Sequence, residues 1–120
     1  MEKEFCIYTQ AIALKELGFD EPCFALYNRS DKPVIAGNTP VYNSKTEDDL
    51  IICTPLYQQA FRWFREKYGL FNFINFSGNG FCSGWEDLGN NEHGFENFKT
   101  YEEAESACLD KLIEICRLSK

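Results

Sequence analysis

The sequence predicts an α+β fold in the order αββ-αββ-α, with three helices packed on one face of a mainly antiparallel sheet. Three observations predict it. Tyr8-Thr9-Gln10-Ala11, Tyr57-Gln58-Gln59-Ala60 and Tyr101-Glu102-Glu103-Ala104 each open a run with helical apolar spacing. The first two runs reach a glycine, Gly18 or Gly69, and pass into aromatic-rich, strand-like stretches. Asn79-Gly80 lies between two alternating segments, which is the strongest short-range hairpin signal.

The first helix is predicted from Thr9 to Leu17, with Ile7, Ala11 and Leu14 on one stripe and Gly18 as its left-handed stop. Cys23 to Tyr27 is an apolar run too short for a helix, hence a strand. A second strand is expected within Val34 to Tyr42, broken by Gly37 and Pro40, and Lys45 to Asp49 forms a solvated acidic connection.

Helix two has the clearest start, with Thr54 placed to cap and Pro55 suited to the first helical position. Two adjacent stripes follow, Leu56, Ala60 and Trp63 beside Tyr57, Phe61, Phe64 and Tyr68. So wide an apolar face belongs to a central helix or meets another subunit.

After Gly69, Phe71 to Phe76 and Phe81 to Glu86 form the hairpin. With Asn79 and Gly80 as its turn, Ile74 faces Trp85, and Phe76 and Phe81 share that face. The opposite face carries Phe73, Asn75, Ser77, Cys82 and Glu86. Gly89 to Asn97 is a polar connection holding the only histidine, His93. Thr100-x-x-Glu103 is a capping box that starts helix three, whose inner face is Tyr101, Ala104, Cys108, Leu112 and Ile115. The recurring Tyr-x-[Gln/Glu]-Ala opening fits either an internal duplication or repeated use of good first-turn residues.

At 120 residues the chain is expected to be a single domain, 1–120, able to bury a core without staples. Its net charge of −7 argues against nucleic-acid binding, which needs Lys and Arg to neutralise phosphates. The charge suits solubility or a basic partner. No apolar run approaches the roughly 20 residues that span a bilayer. The opening Met-Glu-Lys-Glu-Phe lacks the order of a signal peptide. The six cysteines contain no Cys-x-x-Cys pair, and a reduced, cytoplasmic protein is expected.

Candidate chemistry is sparse. Gly80-Phe81-Cys82-Ser83-Gly84 matches a nucleophile elbow in letters, but that turn needs a helix directly after the nucleophile, and here a strand continues. His93 is the sole base available to Cys82. Gly78-Asn79-Gly80 lacks the strand–turn–helix context of a phosphate loop. One histidine with scattered cysteines gives no zinc spacing, and no metal or cofactor is expected. A small anionic, nucleotide-like ligand would be held by Arg62 and Arg65 with Phe73, Asn75, Trp85 and His93.

Three stretches carry a resemblance: Ala13 to Phe24, Pro55 to Leu70, and Tyr101 to Glu105 continuing through Leu112 to Ile115. They resemble a family of short uncharacterised proteins from gut Bacteroides-type bacteria and their phages or prophages. The resemblance covers all three helices and implies a cytoplasmic accessory protein of a mobile element. It carries over no functional residue.

The expected function is therefore non-enzymatic, a small binding or adaptor protein that acts through a protein partner or self-association. The alternative is a small-ligand binder, and the least favoured is a Cys-dependent hydrolase.

Overall fold

A computed structural model of the chain describes residues 4–37, 39–45, 50–78, 80–89 and 92–118. The fold is α+β, with three helices and antiparallel β-structure. The chain divides into two compact units, Met1–Tyr57 and Gln58–Lys120. Among the described residues no helix is long and apolar enough to cross a membrane.

In the first unit, α1 spans Tyr8–Glu16. Its open N-terminus is closed by Gln10, whose Oε1 accepts from the Ile7 N–H at 3.1 Å. At the other end Gly18 takes φ +97°. The Gly18 N–H then reaches the Lys15 carbonyl at 3.1 Å and the Phe19 N–H the Leu14 carbonyl at 2.9 Å. Those two bonds satisfy the last carbonyls of the helix, so the glycine stops it as the sequence predicts.

Three short strands follow: β1 (Ala25–Asn28), β2 (Pro33–Ile35) and β3 (Ile51–Thr54). They form an antiparallel sheet in the order β2-β1-β3, with α1 packed on β3. Ala11 of α1, Tyr27 of β1 and Ile52 of β3 make a buried cluster, and Tyr8 packs edge-on against Tyr27 at 5.3 Å. Asn43 ties the preceding turn to the sheet: its amide donates to the Phe19 carbonyl at 2.9 Å and its oxygen accepts from the Cys53 N–H at 3.0 Å.

Of the expectations for this unit, the one for Thr54 needs correction. The strand sought in Val34 to Tyr42 ends at Ile35, and Val41 keeps only an isolated bridge to Cys23. Of the acidic connection, Lys45 closes a 3-10 turn over Asn43–Lys45, and residues 46–49 lie outside the described residues. Thr54 is not a helix cap. It ends β3, and its hydroxyl donates to the Cys6 carbonyl at 2.7 Å, beside the Tyr27 hydroxyl at the same distance. A Thr-Pro pair leaving a strand looks in sequence like one entering a helix, because both need extended backbone before the proline.

Helix α2 covers Tyr57–Tyr68. Both of its stripes are buried at Tyr57, Ala60, Phe61, Trp63 and Phe64, while Leu56 and Tyr68 are half-buried. The wide face is thus no exposed interface. Gly69, at φ +67°, ends the helix as expected.

The rest of the second unit is a meander, β4 (Phe71–Ser77), β5 (Gly80–Glu86) and β6 (Glu92–Phe98), in the order β4-β5-β6. Helix α3, Tyr101–Leu118, packs on β5. The Thr100 hydroxyl accepts from the Glu103 N–H at 3.1 Å, which caps α3 as the sequence indicates. Ala104, Cys108, Leu109, Leu112, Ile113 and Cys116 are its buried residues. The Cys108 thiol donates to the Gly84 carbonyl at 3.3 Å, fixing the helix to the middle strand.

Here too the structure corrects the sequence. The segment expected to be a polar connection, Gly89 to Asn97, contributes most of β6. Asn79 lies outside the described residues, but Gly80 belongs to β5 and pairs with Ser77. Ile74 therefore faces Ser83, and Trp85 faces Asn72. The slip is two residues, which preserves every face assignment because side chains alternate with period two. Tyr101 is 45% exposed rather than part of the inner face. Ile115 is half-buried.

Both units run helix and then three strands, yet the central strand is the first of the three in one sheet and the second in the other. The repeated openings mark equivalent helix starts on different sheet topologies.

Candidate functional site

The second sheet carries an aromatic row at the end where its hairpin turns. Phe76 on β4, Phe81 on β5 and Phe98 on β6 lie directly opposite one another in register, so all three rings leave the same face. Phe76 and Phe81 have centroids 5.1 Å apart. Tyr101, in the first turn of α3, meets Phe81 edge-on at 6.0 Å and 88°. Phe76 is 70% exposed and Tyr101 nearly half so, while Phe81 and Phe98 are half-buried.

Acidic groups border the row. Glu105 stands one turn after Tyr101, half-buried, and its carboxyl is pushed up to about 7 by burial and then by Glu102. The Tyr101 phenol is also raised, by burial first and then by Glu105 and Glu102. Beneath α3, Glu105 helps burial push the Cys108 thiol up to about 12. Glu105 thus lies between the row and the helix–sheet seam.

Two strand features accompany the row. Cys82 pairs with Asn97, and Gly84 with Gly94, so a bulge falls between those pairs. The bulge lets both Phe98 and His93 share the face of Phe81 and Trp85 although their positions in β6 differ in parity. At Gly84 a Cβ would collide with the His93 carbonyl and lie 2.6 Å from the Phe73 ring. Only glycine admits this close approach of both the β6 backbone and the Phe73 ring.

The residues proposed from sequence for a small ligand are divided by the sheet. Trp85 and His93 are cross-strand neighbours, stacked at 4.8 Å and 14°. His93 Nε2 also lies 3.9 Å from Asp87. Phe73 and Asn75 project from the other face, with Cys82 and Gly84. Arg62 and Arg65 are exposed on α2, where Arg62 approaches Glu66 at 3.9 Å. Cys82 and His93 also leave opposite faces, so they do not meet as nucleophile and base.

All six cysteines are thiols. Among the described residues no three His, Cys, Asp or Glu side chains converge as metal ligands.

Comparison with family models, curated proteins and solved structures found no match. The site therefore rests on its own geometry. Phe76 and Phe81 were legible as face-sharing neighbours of a hairpin. Phe98, Tyr101 and Glu105 were missed, because the row becomes visible only once β6 is a strand. The signal available was phenylalanine on both sides of Gly78-Asn79-Gly80, with a further one just before Thr100.

Proposed function

We propose that this chain is a small binding or adaptor protein that acts by protein–protein interaction, with the aromatic row as its docking face. One observation carries the proposal: Phe76 is the most exposed phenylalanine described, and it is the outer member of a continuous ring cluster rather than an isolated surface hydrophobe. Contiguous exposed aromatics bordered by charge are the composition of interface centres. The acidic balance of the chain favours a basic partner over nucleic acid. The resemblance of the three helices to proteins of gut bacteria and their phages supports a partner in such a host.

The test is photo-crosslinking from benzoylphenylalanine placed at Phe76, with Leu118 as the exposed control, in lysate of a Bacteroides-type host. Discrete products from position 76 and none from 118 support the proposal. Products of equal pattern from both positions, or none from either, overturn it. A product containing two copies of this chain identifies self-association as the interaction.

A further inference from the structure

The row sets exposed rings beside an acid. Glu105 is half-buried beside Tyr101, and among the described residues no cation pairs with it. Helix electrostatics do not account for it. Glu102 and Glu103 stand in the first turn of α3, where the positive end of the dipole favours acids, whereas Glu105 lies beyond that turn. An acid kept half out of water next to a second acid is unfavourable until a positive group arrives. The neighbouring rings present π faces and edges that suit the same kind of group.

We infer that the aromatic row and Glu105 together recognise a lysine or arginine side chain carried by a basic segment of a protein partner. The inference rests on the docking face proposed above and names what that face selects. The cation lies against Tyr101 and Phe81, with its charge toward Glu105 and its aliphatic stem along Phe76. Glu102 adds attraction from the solvent side. Acidic and phosphorylated segments are repelled by the same carboxylates, and the net charge of −7 draws a basic segment from a distance.

The experiment is a 1H–15N NMR titration of the full chain with blocked peptides that differ only in charge: one arginine-rich, its Arg→Gln counterpart and its Arg→Glu counterpart. The arginine peptide is expected to shift the amides of Phe81, Tyr101 and Glu105 in a saturable, salt-sensitive way. Glu105→Gln is expected to weaken that binding about fivefold or more, and Tyr101→Leu similarly, since one removes the charge and the other the ring. Equal binding of the glutamine peptide, or undiminished binding by Glu105→Gln and Tyr101→Leu, overturns cation recognition and leaves the docking face standing. Absence of any perturbation of the row by all three peptides overturns both.

Discussion

The phenol of Tyr57 donates a 2.8 Å hydrogen bond to Oε1 of Gln10, and both side chains are buried. The first residue of the second repeated opening is thus bonded to the third residue of the first. The same oxygen accepts from the Ile7 N–H, so Gln10 closes the start of α1 while receiving the start of α2. Tyr57→Phe is expected to cost about 1 kcal/mol, and Gln10→Leu about 2 kcal/mol because two donors lose this acceptor. The double variant should cost less than the sum, measured by urea denaturation as a double-mutant cycle. Strict additivity would show that the bond contributes nothing to stability.

A second expectation concerns Ser83. Its side chain is fully buried on β5 between Phe81 and Trp85, and its hydroxyl has no partner among the described residues. Ser83→Ala removes a desolvated polar group of nearly the same size. It should stabilise the chain by about 1 kcal/mol, raising the urea midpoint with the slope unchanged. A destabilised variant would mean that the hydroxyl is satisfied in solution.

These two sites show how far the sequence was legible. Helices announce themselves through end chemistry that is local, so Gly18, Gly69 and Thr100 all do what their residue types require. Strands β3 and β6 do not. Ile51–Thr54 is only four residues long and runs into a proline that also suits a helix start. Glu92–Phe98 is polar, contains Gly94 and is held mainly by its pairing with β5, a long-range cause that no local pattern displays. Missing β6 hid the aromatic row, since Phe98 had no register. The burial expected of Tyr101 failed for a related reason: a shared motif fixes where a helix begins, not what its first turn covers. At α3 that turn overhangs Phe81.

The thiols should react in an order set by burial. Cys6, Cys23, Cys53, Cys108 and Cys116 are buried, and only Cys82 is half-accessible. Burial pushes Cys116 up to about 11, and with Glu105 it pushes Cys108 higher still. Cys23 is raised by its hydrogen bond with Cys53 and by burial. Since the thiolate is the reactive form, iodoacetamide at neutral pH should modify one cysteine quickly and the others only on unfolding. Mass spectrometry should locate the fast adduct at Cys82, and Cys82→Ser should remove the fast phase. Rapid modification of Cys108 would show that α3 lifts readily from β5.

Glu105 should make stability depend on pH. Its carboxyl is raised from 4.5 to about 7, first by burial and then by Glu102; among the described residues Tyr101 and Cys108, both on α3, are further titratable groups that feel its charge. A raised acid means that the folded chain holds this proton more tightly than the unfolded one. Its contribution is most favourable below about 4.5 and is lost as pH climbs through about 7. Glu105→Gln keeps the shape, removes the titration and relieves Glu102. The variant should therefore match the parent near pH 4.5 and exceed it at pH 8, with thermal unfolding across that range as the measurement. A basic segment bound at the aromatic row would act on the parent in the same direction, by holding Glu105 ionised. The arginine-rich peptide should thus raise the unfolding temperature of the parent more at pH 8 than at pH 5, and that difference should vanish in Glu105→Gln. An equal rise at both pH values would mean that the carboxylate takes no part in the contact.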